Sequence, residues 1–164
     1  MDRRELFSSF TSGGRANAAS EEETIIRPPY NIDESLFHKS CHDCDGICAT
    51  VCEVDIISIG ADKTPFLSFD KSGCTFCDEC AKACDYGVLS LENEAKIHNP
   101  ISISVSACMA WDSVMCMSCK DPCLDRAIIF QGLFKPVIDA SKCTGCGFCI
   151  SRCPTFAIEV EKSA

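Results

Sequence analysis

The sequence predicts an α+β fold of short strands, cysteine-rich loops and single helical turns, arranged as two tandem modules behind an N-terminal tail. Three observations predict it. All sixteen cysteines of the 164 residues fall into four groups of four. After each fourth cysteine the same apolar pattern recurs at positions +4, +5 and +7. A proline and a strand-like stretch stand before three of the groups.

The groups come first, because their spacing names the chemistry. Cys74, Cys77, Cys80 and Cys84 read C-x2-C-x2-C-x3-C, and Cys143, Cys146, Cys149 and Cys153 repeat that run. It is the iron–sulfur run of two-cluster bacterial ferredoxins. Cys41, Cys44, Cys48 and Cys52 carry one extra residue before the third cysteine, which Gly46 can absorb as a bulge. Cys108, Cys116, Cys119 and Cys123 have a long gap after the first, residues 109–115 with Trp111 inside it, read as a lid. The sixteen thiolates supply metal ligands for up to four [4Fe–4S] clusters.

A tight loop can bring three sulfurs to three corners of such a cluster if small residues let the backbone approach, and Gly145 and Gly147 fit that need. The fourth cysteine lies about 6 Å along a helical turn, and in two-cluster ferredoxins it ligates the other cluster. The implied sets are therefore crossed. Cys41, Cys44 and Cys48 go with Cys84, and Cys74, Cys77 and Cys80 with Cys52. Cys108, Cys116 and Cys119 go with Cys153, and Cys143, Cys146 and Cys149 with Cys123.

Two other uses of cysteine compete. A disulfide scaffold gains little from cysteines three apart, and no apolar signal region occurs near the N-terminus. A structural zinc-binding interaction module would bring two close pairs from separate places, which these triplets do not. His42 sits between two ligands, but four cysteines already fill the site, so it reads as a solvated loop residue. Met109, Met115 and Met117 read as core or lid packing and Trp111 as a packing anchor.

The elements follow in order. Residues 1–30 hold no cysteine and read as a flexible polar tail with an arginine pair. Asp2-Arg3-Arg4-Glu5-Leu6-Phe7 opens like a twin-arginine export signal, but Ser8 to Glu23 is polar and small, so export is not expected. Arg27-Pro28-Pro29-Tyr30 stiffens the chain. The first two groups form one two-cluster module, residues 31–95, and the last two form a second, residues 96–164. Polar Glu92-Asn93-Glu94-Ala95-Lys96 separates them. The apolar triples are Ile56, Ile57, Ile59; Val88, Leu89, Leu91; Ala127, Ile128, Phe130; and Ala157, Ile158, Val160, each a short strand. The preceding stretches are Pro65 to Phe69, Pro100 to Val105 and Pro136 to Ile138, the second alternating as a half-buried strand does. One unit cannot bury its apolar face alone; two related by an approximate two-fold can.

Composition narrows the function. Ten Phe, two Tyr and one Trp make a thin core, so metal is expected to act as a staple. The formal net charge is −9, and four loaded clusters would take it to about −17. That excludes nucleic acid and anionic lipid as partners and favours a basic patch on another protein. No apolar run is long enough to span or insert in a membrane. Asp43, Asp45, Asp78 and Glu79 beside the ligands imply low reduction potentials. No phosphate loop, Ser/His/Asp set or HExxH motif appears, so catalytic residues are not assigned and an autonomous enzyme is not expected.

The arrangement resembles the NapF family, ferredoxin-type proteins of bacterial periplasmic nitrate reductase systems. The resemblance rests on Arg3-Arg4, on Arg27-Pro28-Pro29-Tyr30 (the family favours Trp at the last place) and on the four cysteine groups. Its most specific mark is Cys108-x7-Cys116-x2-Cys119-x3-Cys123 followed by Ala127-Ile128-Ile129-Phe130. The resemblance implies a cytoplasmic accessory protein that contacts the catalytic subunit of periplasmic nitrate reductase before export and assists its maturation. A plain electron carrier in a quinol-to-reductase chain is the alternative.

Overall fold

The structure, a computed structural model, describes residues 25–161. It is a mixed α and β architecture of very short elements. Helix α1 spans Ser35–Ser40 and runs into a 3-10 turn at Cys41–Asp43. Helices α2 (Ile47–Thr50), α3 (Glu79–Lys82) and α4 (Phe148–Arg152) each carry the third cysteine of a group. Strands β1 (Ile57–Ile59) and β2 (Pro65–Leu67) form one antiparallel pair, with Ile57 opposite Leu67. Strands β4 (Ile128–Phe130) and β5 (Pro136–Ile138) form another, with Ile128 opposite Ile138. Strand β3 (Ile101–Ile103) pairs with β6 (Ile158–Val160), so the beginning of the second half is tied to its end. Pro65 and Pro136 open their strands, where a missing N–H costs nothing.

The fourfold repeat is written into the backbone. Three residues after each fourth cysteine the chain turns left-handed, at Asp55, Gly87, Arg126 and Phe156. The N–H of each donates to the carbonyl of its cysteine, Cys52, Cys84, Cys123 and Cys153, at 3.0 to 3.3 Å. The turn points the next two residues inward. Positions +4 and +5 are buried in all four units: Ile56 and Ile57, Val88 and Leu89, Ala127 and Ile128, Ala157 and Ile158. Position +7 is not a core position throughout, since Ile59 and Leu91 are exposed. In the second unit the expected strand shrinks to one main-chain bond, Ser90 N–H to the Tyr30 carbonyl at 3.0 Å.

That bond locates the end of the tail. Residues 1–24 lie outside the described residues, but 25–30, placed in the tail by their composition, belong to the first half. Ile26 and Tyr30 are buried, and the Ile26 carbonyl accepts the Leu67 N–H at 2.7 Å. Pro28 and Pro29 hold the segment extended, the geometry a strap beside β2 requires. Arg27 is anchored through Thr64 Oγ1 at 2.8 Å and the Pro65 carbonyl at 2.9 Å, with its guanidinium over the Phe37 ring. The larger core joins Phe37, Ile56, Leu67, Phe69, Val88 and Leu89 with Cys48 and Cys80. The smaller one holds only Cys119, Ile128, Cys149 and Ile158.

Candidate metal centres

Each cysteine group sits on a loop whose local chemistry explains its shape. Gly46, Asp78 and Gly147 precede α2, α3 and α4 in left-handed conformation, two residues before the third cysteine. Gly46 holds the same left-handed position as Asp78 and Gly147 do in the groups without the extra residue, and a Cβ there would come 2.8 Å from Ile59 Cγ1. In the third group the gap folds on itself. Trp111, Asp112 and Ser113 donate N–H bonds to the carbonyls of Cys108, Met109 and Ala110. The Trp111 indole N–H reaches the Pro136 carbonyl at 3.2 Å.

The sixteen sulfurs gather around four cavities. Cys41, Cys44, Cys48 and Cys84 line one of about 330 Å³, with Phe37, Val88 and Leu89 among its walls. Cys74, Cys77, Cys80 and Cys52 line one of about 350 Å³ roofed by Pro29 and Tyr30. Cys108, Cys116, Cys119 and Cys153 line a third of about 340 Å³ with Met109, Ala110 and Ile158. Cys143, Cys146, Cys149 and Cys123 line the fourth, about 320 Å³, with Ile101 and Ile138. Each cavity thus draws three cysteines from one repeat and one from its neighbour. All sixteen are free thiols.

Burial disfavours the charged form of several of these thiols. Burial pushes the Cys80 and Cys149 thiols up to about 12, and those of Cys48, Cys74 and Cys119 up to about 11. They are neutral at physiological pH in the bare chain, so a metal group that takes them as thiolates must release protons. Cys153 goes the other way. Burial raises it, but the main-chain N–H groups of Ala157 and Thr155 outweigh burial and bring it below the ordinary thiol value. Main-chain N–H groups reach sulfur repeatedly: Phe76 to Cys74 at 3.4 Å, Leu89 to Cys84 at 3.4 Å, Ala127 to Cys123 and Ala157 to Cys153 at 3.2 Å.

Neighbouring residues divide plainly. His42 is exposed, and its carbonyl accepts Lys63 Nζ at 3.3 Å. Met109 lines its cavity, but Met115 and Met117 are 71% and 41% exposed and pack in neither core nor lid. The turn over residues 109–114 closes on Ala110 and throws the residues after it outward. Glu79 is held by Lys82 at 2.9 Å. Sequence reasoning missed Tyr30 as part of a site. Its single hydroxyl proton is shared between the Asp78 carboxylate and the Phe76 carbonyl, the latter at 3.1 Å, both inside the second cysteine loop. Burial, then the Asp78 carboxylate, hold that hydroxyl protonated far above the usual phenol range. The only available signal was an aromatic beside a fixed Pro-Pro pair. Among the described residues, no helix is long and apolar enough to cross a membrane.

Comparison with known proteins places this geometry. Residues 136–159 match the 4Fe-4S binding domain. Over 140 residues the chain is 38% identical to the ferredoxin-type protein NapF of Escherichia coli K12, covering 83% of this chain and 84% of that one. It is 36% identical to the NapF of Haemophilus influenzae, over 83% of this chain and 78% of that one. It is also 30% identical to the methylamine utilization ferredoxin-type protein MauM of Methylophilus methylotrophus, over 84% and 68%. Each of these relatives is a ferredoxin-type protein by name. With a relative so similar along nearly its whole length, the chain belongs to the NapF family of ferredoxin-type proteins.

Proposed function

We propose that the four cavities each hold one [4Fe–4S] cluster, with the crossed cysteine sets as ligands, and that residues 31–95 and 96–164 are tandem two-cluster modules, the first strapped by residues 25–30. When bound, such a group supplies one-electron transfer. One observation carries the reading: four cavities of nearly equal size, each walled by apolar side chains and ringed by four free cysteines. The donor set is wrong for one ion. Zinc would need its sulfurs within about 2.3 Å of a single point, and among the described residues no three Cys, His, Asp or Glu side chains converge that way. The sulfurs surround a volume instead.

On that basis the protein is an iron–sulfur accessory of a periplasmic nitrate reductase system. It acts in the cytoplasm, where it meets the catalytic subunit before export and assists its maturation. Its acidity suits a basic docking patch on that subunit. A second reading, an electron carrier between quinol and reductase, is favoured by the burial of Cys48, Cys80, Cys119 and Cys149. Buried ligands hold a group firmly, which serves repeated electron passage better than donation. Anaerobic purification with iron and acid-labile sulfide analysis tests the clusters: zinc without sulfide overturns them. Deleting the gene tests the role. A reductase that is exported with its cofactors complete but receives no electrons refutes maturation and favours the carrier.

A further inference from the structure

The two halves touch through their cysteine loops. The Cys74 N–H donates to the Cys146 carbonyl at 2.6 Å. Cys74 lines the cavity shared with Cys52, Cys77 and Cys80, and Cys146 the one shared with Cys123, Cys143 and Cys149. The approach leaves no space for a side chain. A Cβ on Gly73 would stand 2.4 Å from the Phe148 nitrogen and 2.6 Å from the Cys146 oxygen. One on Gly147 would meet the Phe69 ring at 2.4 Å. Gly73 is not in the left-handed region, so the contact alone excludes a side chain there. Ile150 and Val160 of the second half pack on the core of the first. Ile97, at the start of the second half, is buried in that same core, and its N–H is held by the Thr144 carbonyl at 2.9 Å, so the connection is pinned.

We infer that this contact of the Gly73–Cys74 and Gly145–Gly147 loops is a built junction that fixes the separation of the two inner sites, so that all four sites stand in one order through a single body. The inference rests on the cluster reading above. Within the first half, α2 with Cys48 packs on α3 with Cys80. Within the second, Cys119 and Cys149 share one core. The order is therefore the Cys41 set, the Cys74 set, the Cys143 set and the Cys108 set. If the four sites are loaded, one electron could pass along it from a reduced group to an oxidised neighbour, with no bond changed and no proton needed. The loops' contribution is the fixed separation.

The test compares the anaerobically purified full chain with Gly73→Ala, and with Gly60→Ala as a control whose added methyl also meets a held group, the Asp62 carboxylate bonded by Thr64, but in the β1–β2 turn outside the junction. Hydrogen exchange reads the Cys74 amide, with the Ile97 amide as a reference inside the second half, electron paramagnetic resonance of the reduced protein reads coupling between sites, and iron is counted in each sample. The junction predicts full iron in all three. It predicts exchange of the Cys74 amide faster by about tenfold or more in Gly73→Ala alone, with coupling reduced to that of two separate pairs. Full iron with unchanged exchange and coupling in Gly73→Ala overturns the junction and leaves the clusters standing. A wild-type chain without iron overturns the cluster reading instead. Should Gly73→Ala lose iron, the wild type decides: Cys74 exchanging as fast as the exposed Lys71 refutes the junction, and marked protection supports it.

Discussion

Tyr30→Phe removes one oxygen atom from a buried ring and with it the hydroxyl's bond into the second cysteine loop. The single hydroxyl proton is shared between the Asp78 carboxylate and the Phe76 carbonyl, and both acceptors belong to residues with left-handed backbone. A bond to a charged group contributes about 2 kcal/mol. Asp78 is only half-buried and can regain water, which discounts that figure, so a net loss of about 1 to 2 kcal/mol is expected. At tenfold per ~1.4 kcal/mol, the open form of the loop becomes about 5 to 30 times more populated. The assay is iron release to a chelator under anaerobic conditions, followed by loss of visible absorbance. If opening is fast relative to capture, the release rate from the Cys74 set rises by that factor. Tyr30→Trp keeps a donor on an aromatic ring, as the Trp favoured at this place in the family does, and should restore most of the wild-type rate. A Tyr30→Phe rate within about threefold of wild type, with iron content equal, would refute the reasoning.

Other outcomes follow from the same coordinates. Cys84→Ser should remove the same cluster signal as Cys41→Ser, and the double variant should lose no more iron than either alone; additive losses would reject the crossed set. Gly87→Ala, with open space above a left-handed backbone, should cost about 1 kcal/mol in anaerobic denaturant unfolding, whereas Gly145→Ala, which meets the Ile97 oxygen, should cost clearly more. Phe156→Gly relieves a left-handed backbone at an exposed ring and should be neutral or stabilising by about 1 kcal/mol in the same assay. The raised Tyr30 hydroxyl fixes a pH dependence. Its contribution is complete below the unfolded phenol value of about 10 and falls as pH rises above it, so wild type and Tyr30→Phe should differ in chelator release by a constant factor up to that pH. Stripping the metal should abolish most far-ultraviolet dichroism and near-surface amide protection together.

The sequence made the metal chemistry legible and left the supporting contacts hidden, for a physical reason. Cysteine spacing acts locally: three sulfurs within seven residues must share one loop, and a fourth one turn later points across to the neighbouring unit. The same holds for positions +4 and +5, because the left-handed turn at +3 is built from adjacent residues. Tyr30 reaches a loop 46 residues away, and Cys74 reaches Cys146. No local pattern encodes such distances. Composition also misled at residues 25–30, where two prolines and an arginine look like solvated tail yet form the strap beside β2. Met115 and Met117 look like core by type, and their exposure follows from how the preceding turn closes.

The dimensions of the elements argue that loading and folding are one event. Among the described residues no strand exceeds three residues, and the α-helices after Ser35–Ser40 have four or five. Isolated helices of that length are unstable in water, and two-stranded pairs are marginal at best. The second core buries two isoleucines and two cysteines, with half-buried Ile101, Ile103, Phe130 and Ile138 packed against them, a modest apolar area against the ordering of its chain. Each cavity, however, joins sulfurs from two repeats, so one bound group closes two loops at once. The fourth cysteine does most of this work. Cys52, Cys84, Cys123 and Cys153 each begin the left-handed turn that buries +4 and +5, while their sulfurs face the neighbouring repeat's cavity. On the proposed ligand sets, a single residue would thereby couple the metal site of one repeat to the core position of its neighbour, so that loss of either is expected to disorder the other.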